Sequence, residues 1–312
     1  MTAAPARITA KRRLGDTLFS GAALAAGGFI LLVLAGVAIF LIAQSIPAFL
    51  IDPAEIKGQP DSFWQYVGPL VFGTVWAAAL ALLIAVPIAL GIALFISHYA
   101  PRRLAQGLGY TIDLLAAVPS VVYGLWGAGV LAPSIQPAYV WLVDNLGWIP
   151  LFAPPVSGTG RTILTVAIVL AVMILPIITA LSREVFLQTP KLHEEAALAL
   201  GATRWEMIRM AVLPFGRPGV ISAIMLGLGR ALGETMAVAM VLSPAAVISI
   251  VLTGPQNPTT IPANIALNYP EAHGSYVNVL IATGLILFVI TFAVNSAARW
   301  AIARRKDFSG AN

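Results

Sequence analysis

Six stretches of this chain are too long and too apolar to live in water: roughly 21–46, 67–96, 108–132, 162–186, 218–243 and 276–303. A bilayer core takes about 20 apolar residues per helix. Within it only helices and closed barrels satisfy every backbone N–H and C=O. The pattern predicts an all-α polytopic membrane protein with six transmembrane helices. Composition agrees, because only 10% of the 312 residues are charged, against about 25% in soluble domains. The first apolar run follows an Arg/Lys cluster, as a signal peptide would. It is longer than a signal h-region and has no obvious cleavage site, so it reads as an uncleaved span.

The net charge of +5 is a statement about topology. With the N-terminus in the cytoplasm, fifteen of the eighteen Lys and Arg residues fall on the cytoplasmic side, leaving Lys57, Arg161 and Arg230, as the positive-inside rule requires. A nucleic-acid-binding role thereby loses its main support. The chain divides into a cytoplasmic basic tail (1–20), a transmembrane domain (21–303) and a short cytoplasmic tail (304–312). There is no cysteine, which removes disulfides and thiolate chemistry. His98, His193 and His273 are scattered singly, so no metal site is expected. Segments 133–160 and 244–275 contain no Lys and are rich in Pro, Gly and Asn. They read equally as ordered docking loops with re-entrant pieces or as plain connectors. Pro87 and Pro176 are expected to kink their spans. Asp113 is expected to pair with Arg102 or Arg103 at the cytoplasmic interface.

The long cytoplasmic join, "QTPKLHEEAALALGATRWEMIRMAVLPFGRPG" (188–219), carries explicit helix punctuation. Thr189 is placed to cap a helix starting at Pro190, and Gly201 suits the left-handed residue past its end. Thr203 and Glu206 fit a capping box that opens a second helix, which Leu213-Pro214 is expected to end. The product is a rigid helical knuckle, either a docking element or a surface hairpin linking two spans. The spacing of Glu195-Ala196-Ala197, Gly201 and Leu213-Pro214 resembles the EAA loop of ABC importer permeases, with Ala211 where that pattern has Ile. The resemblance implies that Glu195, Ala196, Ala197, Gly201, Leu213 and Pro214 form the coupling element that enters a groove on an ATPase subunit. The chain has no Gly-x-x-x-x-Gly-Lys-[Ser/Thr] stretch. ATP and magnesium would be bound by partner subunits, and no cofactor by this chain.

In the fifth span, "GLGRALGETMAV" (227–238) places Arg230 twelve residues beyond Pro218, or roughly 18 Å along the helix and near mid-membrane. An uncompensated Arg there costs about 3 kcal/mol even on insertion scales. As i,i+4 neighbours, Arg230 and Glu234 are expected to share a face and partly neutralise each other. Gly229 and Gly233 beside them permit close approach of another helix. The pair reads either as a structural ion pair or as the lining of a pathway. In a pathway, Arg230 offers bidentate donors to a tetrahedral oxyanion. Glu234 would accept the proton of hydrogen phosphate, which sulfate lacks. Pro119-Ser120 interrupts the third span, either as a kink or as part of the same lining.

"LGLGRALGETMAVAMV" (226–241), "AAVPSVVYGLWG" (116–127) and "LLIAVPIALGIALFISHYAP" (82–101) resemble the PstC family of phosphate-specific ABC importer permeases, over about residues 67–303. That resemblance implies a type I ABC importer permease fold with cytoplasmic coupling helices. It also implies a PstA-like permease partner, two PstB-like ATPase subunits and an external PstS-like phosphate-binding protein. Arg230, Glu234, Thr235 and Ser120 would be the substrate-pathway residues. The competing readings are a sulfate or molybdate permease, a proton-coupled secondary transporter using Glu234 as relay, and a membrane scaffold without transport.

Overall fold

A computed structural model describes residues 14–51, 56 and 60–306, with backbone alone at 14 and 301–306. The basic residues Arg7, Lys11, Arg12 and Arg13, and Lys57, lie outside the described residues, as does most of the expected C-terminal tail. Helix α1 (Leu14–Ser45) begins inside the segment expected to be tail. It packs chiefly on α12 (Ser275–Lys306), and leaves Leu18, Phe19, Leu24 and Leu31 largely exposed, as suits a face against lipid.

The core is built on α6 (Ile163–Leu187), whose Val166, Leu170, Ile174 and Ile178 recur every four residues and are buried. Against it lies α2 (Phe63–Leu94), which presents Ala77, Ala81, Ala85, Ala89 and Ala93, each 1% exposed or less. Small side chains at this spacing let two helix backbones approach closely where no water is present to drive association. Pro87 and Pro176 sit inside these helices without breaking them.

Two expected spans divide. Segment 108–132 does not form one helix: α3 (Arg102–Ala116) and the run Ser120–Leu146 meet at 90° across residues 117–119. Pro119 drives the break by disfavouring helical backbone at Val118. The Leu115 carbonyl accepts instead from the Tyr123 hydroxyl at 2.9 Å. α3 is amphipathic. Gly109 and Ile112 are buried against α6, Leu104, Leu114 and Leu115 are exposed, and Arg102, Gln106 and Asp113 form a polar edge. Arg183 of α6 lies across Gly109, where any Cβ would collide with its guanidinium. Asp113 stands eleven residues from Arg102 and ten from Arg103 on one helix, about 15 Å or more along its axis. The expected ion pair does not form. The run Ser120–Leu146 consists of α4 (Ser120–Trp126) and α5 (Ala132–Leu146), joined by a π turn at Gly127–Leu131. Among the described residues five helices are long and apolar enough to cross a membrane, and α3 with the run Ser120–Leu146 makes a sixth only when the bent pair is taken as one span.

The fifth span is α9 (Leu213–Leu232), followed after a break by α10 (Met236–Val241). Leu213-Pro214 does not end the preceding helix. α8 (Arg204–Met207) runs through a π turn at Ile208–Val212 straight into α9. A proline ring clashes with the carbonyl four residues back and lacks an N–H, and a π turn widens the helix to admit it. The same device precedes Pro133 at Gly127–Leu131, whereas the π turn at Phe95–Tyr99 ends its helix two residues before Pro101, which holds the cap position of α3.

At the end of the bundle opposite the knuckle, the long loops are ordered. The buried Asn257 side chain accepts from the Ile163 amide at 2.9 Å and donates to the carbonyls of Arg161 and Gly254, each at 3.2 Å. A two-residue parallel bridge joins β1 (Pro244–Ala245) to β2 (Asn257–Pro258), and α11 (Ile261–Asn268) follows.

Candidate functional site

Arg230 occupies the last turn of α9, half-buried, on the side of that helix facing α12. It lines a groove of about 650 Å³ with Ile177 of α6, Ser222, Met225, Leu226 and Gly229 of α9, and Asn295, Ala298 and Arg299 of α12. Neither guanidinium in the groove has a hydrogen-bond or ion-pair partner among the described residues, and no carboxylate lines it.

The expected Arg230–Glu234 pair is absent. α9 ends at Gly233, and Glu234 turns inward, 8% exposed, so that its Oε1 accepts the Ala237 amide at 3.0 Å. It acts as a cap on α10, where the positive end of the helix favours a carboxylate. Residues i and i+4 share a face only while the helix is continuous, and Gly233 interrupts it. Thr235 is half-buried at the same break, its hydroxyl donating to the Gly233 carbonyl at 3.3 Å. Ser120 opens α4, which packs on α10. At Gly124 an added Cβ would come within 3.0 Å of the Ala237 Cα. The four candidate pathway residues therefore separate: Arg230 lines the groove, while Glu234, Thr235 and Ser120 sit at the α9–α10 break and the α4 helix packed against it.

The glycine seam is also elsewhere. A Cβ on Gly229 would meet nothing within 4 Å, and one on Gly233 only the Gly229 carbonyl. The close α6–α9 contact uses Gly216, Gly219 and Gly227, against Phe186, Val185 and Ile178.

The knuckle forms as α7 (Lys191–Ala199) and α8. Pro190, not Thr189, holds the cap position, and the Thr189 hydroxyl is buried without a partner. Gly201 adopts φ 86° in open space, and the Thr203–Glu206 capping box is complete, with Glu206 Oε2 accepting the Thr203 amide at 2.8 Å. Glu195, Ala196 and Gly201 face outward. Ala197 and Leu213 pack inward on Phe186, Ile208 and Val212, and Pro214 is exposed. Leu192, Leu200 and Trp205 stand exposed around the tip. His98 Nε2 lies 3.5 Å from Glu194 Oε1, tying the end of α2 to α7.

The model of the binding-protein-dependent transport system inner membrane component family matches residues 85–307. The chain belongs to that family. The permease is 47% identical over 301 residues, 92% of its length and 91% of the other's, to a phosphate transport system permease protein PstC 2 of Mycobacterium tuberculosis. It is 41% identical to a PstC of Mesorhizobium japonicum, across 96% of its own length and 93% of that protein's. A solved bacterial ABC transporter that imports the acidic polysaccharide alginate covers 93% of the permease at a TM-score of 0.62 and 18% identity, a likeness of fold alone. Together these place it in the type I importer permease fold as a multi-pass membrane component of a transport system.

Sequence reasoning missed Ser222, Asn295 and Arg299. Arg299 was counted among the topology charges. The available signal was Asn295 and Arg299 at i,i+4 in the last apolar run.

Proposed function

We propose that this permease is the PstC-type subunit of an ATP-driven importer carrying inorganic phosphate inward across the bacterial cytoplasmic membrane. The observation that carries the reading is the unpaired Arg230 guanidinium in a groove beside the bundle, in a chain similar along nine-tenths of its length to phosphate permeases. An arginine without a carboxylate partner in a low-dielectric wall is a ready site for a tetrahedral oxyanion, which it grips by two parallel hydrogen bonds.

The knuckle end faces the cytoplasm, together with both termini, and the exposed Leu192, Leu200 and Trp205 around Glu195, Ala196 and Gly201 meet an ATPase subunit. Half-buried Ala197 and Leu213 brace this surface from behind. ATP and magnesium bind to two PstB-like ATPases, while the permease itself is not an enzyme and supplies the route. The open Gly229–Gly233 stripe beside the groove admits a PstA-like permease, which would close the groove into a pathway. A PstS-like protein delivers phosphate to the ordered loops at the far end. Glu234 serves this route by fixing the α9–α10 break, Thr235 sits at that break, and Ser120 opens the helix packed on α10. The proton-acceptor role expected for Glu234 loses its support, because the carboxylate lies outside the groove.

Phosphate uptake by the reconstituted importer tests the reading. Arg230→Ala is expected to lower uptake about 10- to 100-fold, as for loss of a charged hydrogen bond, with the complex still assembled. Undiminished uptake would remove Arg230 from the pathway. A sulfate or molybdate permease would show the same arginine dependence with the other anion as preferred cargo.

A further inference from the structure

The groove continues past Arg230 toward the knuckle end, where it carries a second cationic group with no assigned role. Arg299 of α12 lines this groove together with Ser222 of α9. Asn295 is one turn from Arg299 on the same helix. From Ser222 to Arg230 is eight residues, about 12 Å along α9. We propose that Arg299, Asn295 and Ser222 form a second oxyanion station, reached by the ion after Arg230 on its way to the cytoplasm.

The chemistry of these three groups is complementary to a protonated tetrahedral oxyanion. Arg299 is exposed and has no ion-pair or hydrogen-bond partner among the described residues, so its fork of donors is free. The Asn295 amide adds donors and one carbonyl acceptor. Ser222 spends its own proton on the Pro218 carbonyl at 3.0 Å, so its oxygen presents lone pairs to the groove. Those lone pairs can accept the proton that hydrogen phosphate carries and sulfate lacks. A neutral acceptor does this without repelling the anion as a carboxylate would. Two stations of moderate strength also answer a kinetic need. Conduction requires each site to bind well enough to receive the ion and weakly enough to release it, and a neighbouring cation lowers the barrier to leaving the first.

The inference rests on Arg230 lying in the substrate pathway, and the experiment separates the two claims. The importer, assembled with its partner subunits, is reconstituted in vesicles, and uptake of labelled phosphate is measured beside ATP hydrolysis. Arg299→Gln is expected to lower uptake about tenfold, the scale of one charged hydrogen bond, with hydrolysis within twofold of wild type. Arg299→Lys is expected to retain most uptake, and Leu226→Arg added to Arg299→Gln to restore it, since the guanidinium re-enters the groove from α9, one turn from Ser222. A structural role for Arg299 would not be rescued from a new position, and failure of that rescue overturns the station. Wild-type uptake in Arg299→Gln with a defective Arg230→Ala overturns the station and leaves the pathway standing. Normal uptake in both overturns the pathway reading and the station with it. Because a lipid headgroup offers the same phosphate oxyanion, the Arg299→Gln defect is measured in vesicles with and without anionic lipid. A defect confined to anionic vesicles assigns Arg299 to a headgroup and overturns the proposal.

Discussion

Gly227 and Gly229 lie two positions apart on α9, and about 200° of helical rotation gives them opposite surroundings. An added Cβ at Gly227 would stand 2.8 Å from the Ile178 side chain, while at Gly229 it would meet nothing within 4 Å. Gly227→Ala is therefore expected to destabilise the permease by about 1–3 kcal/mol, the usual cost of overpacking, read as a lowered thermal midpoint in detergent. Gly229→Ala, with open space for its Cβ, is expected to raise that midpoint slightly in the isolated chain, because alanine is the better helix former. Equal shifts in both variants would mean that the α6–α9 seam is misplaced. Glu206 gives a second prediction at this scale. The Thr203 amide, and then its hydroxyl, hold the Glu206 carboxyl below its ordinary value of 4.5. A carboxylate with a depressed folded-state pKa stabilises fully above its unfolded value and loses that contribution as pH falls through the folded one. Amide protection at Thr203 and Glu206 should accordingly hold at neutral pH and fade only below about 4.5. Protection that declines already between pH 7 and 5 would contradict the capping box.

Among the helices, the α9–α10 break decides how Glu234 acts. If its work is to accept the Ala237 amide, Glu234→Gln keeps a carbonyl acceptor in place and should transport within about threefold of wild type, whereas Glu234→Ala leaves a buried amide unpaired at a cost of about 1–3 kcal/mol. A proton relay would reverse the order, with Gln as inert as Ala, so the ratio of the two uptake rates settles the role. This break is also where the sequence was hardest to read. Arg230 was visible as a charge in an apolar run, and its groove position follows. Its separation from Glu234 was not visible, because Gly233 has the spacing of a packing glycine and acts as a helix end. The third span was misplaced for a similar reason. Ile112, Leu114 and Leu115 continue the apolar run of α4, and only the recurrence of Arg102, Gln106 and Asp113 along one edge marks α3 as a separate amphipathic helix. The knuckle was the most legible part, since Gly201 and the Thr203–Glu206 box act through local backbone geometry. Thr189 and Pro214 were misread because capping and breaking depend on what surrounds them. One is buried away from its amide, and the other is admitted by a π turn.

At the scale of the molecule, the knuckle and the Arg230 groove are two ends of one object. From Arg204 to Leu232 the backbone is helical without interruption, so Arg230 stands 26 residues, about 39 Å, from the start of α8. A continuous helix of that length, packed by its small residues on α6, has the stiffness a lever needs. Displacement of the knuckle by a partner would then be carried to the groove instead of being absorbed on the way. The weakest point is the π turn at Ile208–Val212, where hydrogen bonding is already irregular. Arg209 and Met210 in that turn are both exposed, so replacing both by glycine removes little packing and costs about 1 kcal/mol of helix propensity at each site. The doubly substituted permease is expected to assemble and to support near-normal ATP hydrolysis, while the phosphate carried per ATP falls several-fold, because a softened helix bends where a stiff one transmits. Uptake and hydrolysis measured on the same vesicles give that ratio directly. A ratio equal to the wild type's would mean that motion reaches the groove by another path, such as α2 through the His98–Glu194 contact. In that case His98→Ala, which cuts that path at 3.5 Å, should lower the ratio instead.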